Sequence, residues 1–187
     1  DKYGLKVIYD AAHTFGVRYK DRGIASFGDV SCFSFHATKV FNSIEGGAAC
    51  FKDKDFGLEL YRLKNFGIRG PEVVDGVGAN AKMNEFCAAM GLCNLRHVDE
   101  EIEKRRKVVE RYRGHLEGKV FGSSRNEVFK ALGNEGIGAR KYFYPLTNTF
   151  DCFHGKYDSN LTPVALHLSK RVLTLPLYAD LDLENVD

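Results

Sequence analysis

Residues 32–51, CFSFHATKVFNSIEGGAACF, constrain the fold more than any other stretch of the 187-residue chain. Two apolar runs, SCFSF (31–35) and GAACF (47–51), flank a polar turn, and short runs bounded by turn residues predict strands. A third run, KVIYD (6–10), is continuous, ends in an acid and predicts a buried parallel strand. The turn carries His36, Thr38, Lys39 and the pair Gly46-Gly47. A lysine placed there is either an ordinary loop residue or an amine kept from water for chemistry.

Helical spacing follows. DKDFGLELYRLKNFG (53–67) puts Phe56, Leu60 and Leu63 on one face, with Gly67 as the expected C-cap. Residues 68–83 are Gly-rich and predict a loop. From Asn84 to Leu116, apolar residues recur at Phe86, Met90, Leu95, Val98, Ile102, Val109, Tyr112 and Leu116, which predicts one long amphipathic helix or two in series, an element suited to carry a dimer. Ser124 stands three residues before Glu127, a capping box that opens a helix over 125–133. A strand is predicted at 139–144, then a short helix and a strand-like run within 165–178 closed by Pro176. Strands and helices alternate early and an α+β arrangement comes late.

Composition excludes several classes. Net charge is +2 with basic residues spread along the chain, which is no nucleic-acid footprint. The run EKRRK (103–107) mixes with acids and predicts a solvated helix face. The cysteines (Cys32, Cys50, Cys87, Cys93 and Cys152) are odd in number, form no C-x-x-C and sit mostly in apolar runs. They predict neither a disulfide framework nor a zinc site, and point to a reducing cytoplasm. No apolar run approaches the roughly 20 residues of a membrane span.

The candidate chemistry centres on Lys39. A lysine becomes a nucleophile when desolvation or a neighbouring cation lowers its pKa. Ser34 and His36 lie two apart, on one face of a strand, and the Ser34 hydroxyl suits an anion such as phosphate. Glycines at 46 and 47 would let the backbone approach a bound group. Asp10 ends a predicted parallel strand, where α/β sheets bind ligands, and His13 opens the following turn. A Schiff-base lysine and an acid for a pyridinium nitrogen are the groups a pyridoxal phosphate enzyme needs most. Each residue also has an ordinary reading: a surface lysine, a turn carboxylate, an interior histidine, a small strand residue, a glycine turn. A hydrolase using Cys32 or Ser34 with His36 is a further reading, weakened by the absence of a G-x-S-x-G turn.

VIYDAAHTFG, FGDVSCFSFHATKVFNSIEGGAACF, GVGANAKMNEFCAAMGL and ARKYFYPL, in that order, resemble the DegT/DnrJ/StrS family of pyridoxal-phosphate-dependent nucleotide-sugar aminotransferases. The resemblance implies an α/β, fold-type I transferase. Residues 1–82 would be part of the large, mostly parallel sheet domain, 83–118 an interdomain helical region and 119–187 a small, incomplete α+β domain. It implies that Lys39 carries pyridoxal 5′-phosphate as an internal aldimine, that Asp10 pairs with the pyridine nitrogen and that His13, where the family often has Gln, contacts the 3-hydroxyl. Ser34 would bind the phosphate, and Asn80 would reach the phosphate of a neighbouring subunit's cofactor. Arg140 and Tyr142 to Tyr144 would border the substrate. Family members with a histidine in place of the lysine are dehydratases; Lys39 points to transamination. The wording is most similar to members that aminate a 4-keto-6-deoxy nucleotide sugar, such as a dTDP-linked hexose, with glutamate as donor, in polysaccharide or deoxyamino-sugar biosynthesis. The implied assembly is a cytoplasmic homodimer with shared sites.

The chain departs from the family pattern at its start, after Val120, where a strand and loop are expected, and at Asp187, where a helix is cut short. The competing expectation is a non-catalytic fragment that dimerises without holding cofactor.

Overall fold

The structure, a computed structural model, describes residues 2–187. The chain divides into two units, with the division between Ile102 and Glu103.

In the first unit, β1 (Ile8–Asp10) runs parallel to β4 (Val30–Ser34), and β5 (Gly47–Phe51) pairs antiparallel on the far side of β4. The architecture is α/β. Between β1 and β4 lies a hairpin, β2 (Arg18–Tyr19) and β3 (Arg22–Gly23), turned by Lys20 and Asp21 at positive φ (46° and 60°), the conformation that matches strand twist in a two-residue turn. The Val7 N–H donates to the Asp29 carboxylate at 2.8 Å, which anchors the start of β1 and holds that carboxyl below its ordinary pKa.

The strand at 6–10 exists, but it is not buried. Ile8 is 65% exposed and Tyr9 44%, because β1 is an edge strand with a neighbour on one side only. β4 is the covered strand, with Ser31 fully buried and Val30 nearly so.

Helix α1 (Lys54–Lys64) starts at Asp53, whose carboxylate accepts from the Asp55 and Phe56 N–H groups. It ends at Asn65, not at Gly67. Gly67, at φ +74°, is two positions further on, where its N–H donates to the Arg62 carbonyl at 2.9 Å and closes the last turn. The stretch expected as an unbroken loop folds into a hairpin, β6 (Ile68–Gly70) and β7 (Val73–Val74), around Pro71-Glu72. Two strand-forming valines and a turn proline outweigh the surrounding glycines.

The long amphipathic stretch is two helices, α2 (Glu85–Leu95) and α3 (Val98–Leu116). Val98 is buried as expected, but elsewhere the buried face differs from the expected one. In α2, Cys87 and Gly91 are buried, while Phe86 is 87% exposed and Leu95 50%. In α3 the most buried side chain is Val108, one position from the expected Val109. The cause is close approach: a Cβ at Gly91 would lie 3.3 Å from Ser43 Cβ, so the small-residue face of α2 is the one that fits against residues 41–43.

In the second unit, α4 (Arg125–Asn134) opens on the expected capping box, with Ser124 and Glu127 exchanging hydrogen bonds, and α5 (Pro163–Ser169) begins at a proline. Among the described residues no continuous strand forms at 139–144, and the pairing found there is a bridge between Arg140 and Thr174. The Ser124 N–H holds the Glu127 carboxyl below its ordinary pKa. A lowered carboxylate stabilises above its unfolded pKa and stops doing so as pH falls through its folded value. Glu127→Ala, which removes the carboxylate that accepts from the Ser124 N–H, is therefore expected to destabilise the second unit at neutral pH and less so in acid, where that carboxylate is already protonated. Denaturation at both pH values checks this, and an equal loss at both would show that the Glu127 charge plays no part.

Candidate active site

The carboxyl ends of β1 and β4 bring the candidate residues together. Asp10 is paired in register with Cys32, so Asp10, Cys32 and Ser34 share one face of the sheet. The ladder continues one step beyond Asp10, where the Ala11 N–H donates to the Cys32 carbonyl at 2.8 Å. Thr14 then turns the chain back, its N–H and hydroxyl both donating to the Ala11 carbonyl, and this places His13 beside the strand end. From β4 the chain enters a second turn, closed by Lys39 N–H to the His36 carbonyl at 2.9 Å and stiffened by His36 Nδ1 against Thr38. The two turns meet: Lys39 Nζ lies 3.0 Å from His13 Nε2.

Beneath them the rings interlock. Phe15, two residues after His13, stacks on Phe41, two residues after Lys39, with centroids 4.3 Å apart. Phe35 meets Phe41 edge-on at 4.8 Å. Asn94 of α2 donates to the Asn42 carbonyl at 3.0 Å and Asn42 to the Lys39 carbonyl at 3.3 Å, so α2 braces the lysine turn from behind. Neither the ring cluster nor the asparagine chain was identified from the sequence. The only signal was the equal two-residue offset of a phenylalanine after each polar candidate.

The glycine pair acts differently from expectation. A Cβ at Gly46 would meet Ser43 Oγ at 2.5 Å and Met83 Cε at 2.7 Å, and one at Gly47 would meet the Phe33 carbonyl at 2.6 Å. The glycines permit close packing of this loop on its own neighbours rather than approach to a ligand.

Lys39 is half-buried, not sealed from water, and Asp10 and His13 are exposed. What the group offers is unspent valence. One Asp10 oxygen accepts from the Ala12 N–H at 3.1 Å; the other has no hydrogen bond among the described residues. Ser34 Oγ accepts weakly from the His36 N–H at 3.5 Å, and its own O–H has no acceptor there. His36 instead faces Glu45, at 3.7 Å. The Lys39 amine has no carboxylate partner among the described residues.

This donor set fits pyridoxal phosphate at three points: an amine for the aldehyde carbon, a free carboxylate oxygen for the ring nitrogen and a free hydroxyl for the phosphate. Asn80 does not join the group through any hydrogen bond among the described residues. It bridges to Asn65 at the end of α1, and its Oδ1 accepts from Lys82 Nζ at 2.8 Å while that ammonium sits 4.2 Å over the Phe66 ring. Arg140 and Tyr142 to Tyr144 lie in the second unit, around a cleft of about 480 Å³. There Arg140 stacks on Tyr142 and Arg125 on Tyr144.

A family model described as the DegT/DnrJ/EryC1/StrS aminotransferase family matches residues 1–121 and 119–187. The chain is 37% identical to a dTDP-4-amino-4,6-dideoxy-D-glucose transaminase of Shigella dysenteriae, over 96% of this chain and 56% of that protein. It is 31% identical to a GDP-perosamine synthase of Escherichia coli O157:H7, over 97% of this chain and 56% of that protein. Among solved structures it is similar to DesI in the presence of its TDP-sugar product, with a TM-score of 0.86 and 32% identity over 99% of this chain and 54% of that one. It is also similar to the PLP form of the sugar aminotransferase Spr1654 from Streptococcus pneumoniae, with a TM-score of 0.87 and 25% identity over 98% of this chain and 55% of that one. The chain thus spans about half the length of the curated relatives it matches.

Proposed function

The chain belongs to the DegT/DnrJ/EryC1/StrS aminotransferase family, and from that premise we propose that it carries the lysine-bearing part of a pyridoxal-phosphate-dependent aminotransferase acting on nucleotide sugars. The observation that carries the reading is the meeting of Lys39 and His13 across 3.0 Å at the strand ends, next to Asp10 and Ser34. The proposed substrate is a keto-deoxy sugar nucleotide, a dTDP-4-keto-6-deoxy-hexose, with glutamate as donor. The relatives named for dTDP-amino sugars support that choice.

When bound, the cofactor supplies an electron sink and a carrier for the amino group. The chain's residues do the rest. Asp10 offers its free oxygen as the counter-charge for a protonated ring nitrogen. Ser34 Oγ–H donates to a phosphate oxygen. Lys39 Nζ is the amine that takes and returns the proton at the substrate carbon, and His13 Nε2 orients it by accepting one of its hydrogens. The cofactor amine partner, the proton carrier and the counter-charge therefore come from two adjacent turns.

A homodimer with shared sites is part of the proposal. The outward side of α2, with Phe86 87% exposed and Leu92 65%, is an apolar face suited to a second copy. Asn80, exposed and away from the chain's own lysine turn in its hydrogen bonding, is the residue assigned to a neighbour's phosphate. The proposed location is the cytoplasm; among the described residues no helix is long and apolar enough to cross a membrane.

Borohydride reduction in the presence of pyridoxal phosphate, followed by peptide mass mapping, tests the reading. A phosphopyridoxyl group confined to the peptide containing Lys39 supports it; labelling spread over surface lysines overturns it. In the complete enzyme, Asp10→Asn is expected to keep this labelling but slow amine transfer from glutamate by about a hundredfold or more, the scale of a lost electrostatic contact in an active site. An unchanged single-turnover rate would remove Asp10 from the mechanism.

A further inference from the structure

The turn that carries Lys39 is closed at two amides, and His36 closes both. Its carbonyl accepts from the Lys39 N–H at 2.9 Å. Its ring accepts from the Thr38 N–H, which lies 3.2 Å from Nδ1. A backbone N–H can only donate, so Nδ1 turns a lone pair toward Thr38 and the ring proton sits on Nε2. The Thr38 hydroxyl, 2.9 Å from Nδ1, then donates to the same nitrogen. Nε2 faces the Glu45 carboxylate at 3.7 Å, too far for a direct hydrogen bond but close enough for the negative charge to favour a proton on that side of the ring. Glu45 is held in turn by Ser43, whose carbonyl accepts from the Glu45 N–H at 2.8 Å and whose hydroxyl donates to the Glu45 carbonyl at 2.9 Å.

A ring here does what an asparagine does in an Asx turn. Asparagine closes such a turn by accepting, through its δ oxygen, from the N–H two residues on. Histidine Nδ1 stands the same number of bonds from the backbone as that oxygen, and in this turn it takes the same N–H. Histidine can do so only as the tautomer with Nδ1 bare, which is the tautomer that Glu45 favours. Lys39 is the next residue. Its N–H is bound by the His36 carbonyl and its own carbonyl accepts from Asn42 at 3.3 Å, so the backbone from which the side chain leaves is held on both sides. The roles given to Asp10, His13, Ser34 and Lys39 leave His36 and Glu45 without a part.

We propose that His36 is a positioning residue for the Lys39 amine, acting through Nδ1 as the acceptor that closes the turn, and that Glu45 holds its tautomer. The stem of Lys39 is flexible, so its amine is placed by the backbone at the root and by His13 at the tip. Loosening the root widens the set of positions the amine visits, and displacing a reacting group by about 1 Å can cost about a hundredfold. The proposal rests on the reading of Lys39 as the amine that takes pyridoxal phosphate.

Two variants of the full chain separate the acceptor from the ring. His36→Asn keeps an acceptor at the δ position and loses Nε2. His36→Gln loses the δ acceptor and carries its amide one bond further out, toward Glu45. His36 is exposed, so neither change opens a cavity. Hydrogen exchange at the Thr38 amide is measured without cofactor, and fixation of pyridoxal phosphate at Lys39 is measured by borohydride reduction at limiting cofactor with peptide mass mapping. His36→Asn is expected to stay within about threefold of the parent in both. His36→Gln is expected to speed Thr38 exchange and to lower fixation at Lys39, each by about tenfold or more, with exchange in β4 unchanged. Glu45→Gln should lower fixation in the histidine chain and do nothing in the His36→Asn chain, because asparagine has no tautomer to select. Fixation at the parental level in His36→Gln, or an equal loss in His36→Asn, overturns the role of Nδ1. An equal effect of Glu45→Gln in both backgrounds overturns the role of Glu45. A parent chain that takes no label at Lys39 overturns the reading of that lysine itself, and the proposal falls with it.

Discussion

Replacing Lys39 with alanine in the proposed enzyme is expected to abolish amine transfer, lowering kcat/KM by about 10⁴-fold, because the proposed mechanism uses this one amine both as nucleophile and as proton carrier. The fold should survive. Lys39 is half-buried, and among the described residues its amine has no carboxylate partner and hydrogen-bonds to exposed His13. Lys39→Arg should fail equally, since a guanidinium keeps its proton at working pH and cannot alternate between the two roles. Turnover with glutamate and a keto-sugar nucleotide, alongside circular dichroism, checks both variants. Activity within tenfold of the parent in either one would show that the amine is not the reacting group.

Phe41→Ala has the largest expected effect on stability. The ring is 7% exposed, stacks on Phe15 and meets Phe35 edge-on. The backing helix cannot follow the lost volume freely, because α2 is already in close contact through Gly91. A cavity of this kind costs about 3–5 kcal/mol, a large share of the roughly 5–15 kcal/mol that holds a domain folded. Phe41→Leu keeps much of the apolar volume and is expected to cost less, which gives a measurable variant if the alanine form does not fold. Denaturant unfolding followed in the first unit checks the pair. A cost below about 1 kcal/mol for alanine would mean that the ring cluster is not what fixes the two turns. Because Phe15 and Phe41 each sit two residues beyond a site residue, both variants should also reduce fixation of pyridoxal phosphate at Lys39.

Local signals translated well where the energetics are local. SCFSF and GAACF became β4 and β5 within a residue of their expected bounds, and the Ser124–Glu127 box opened α4 where it was placed. These depend on strand propensity and on hydrogen bonds within four residues. The strand expected at 139–144 shows the limit. A strand is stabilised by its neighbours, and among the described residues Arg140 has only Thr174 to pair with, so the apolar run stays irregular around a single bridge. The same dependence left β1 exposed: its apolar sequence is that of an interior strand, but burial follows from what lies on either side of it.

By itself the sequence determined the candidate reactive groups and their order along the chain. It also set Asp10 and Ser34 at the ends of two strands, because strand alternation is a property of the backbone. The tertiary structure decided which of those groups touch. His13 and Lys39 are 26 residues apart, and their contact exists because a parallel pairing, two turns and a stack of rings close the loop between them. It also decided that α2 presents Cys87 and Gly91 inward and Phe86 outward. Helical period alone treats large apolar residues as the buried face, whereas the space left by residues 41–43 admits only small ones.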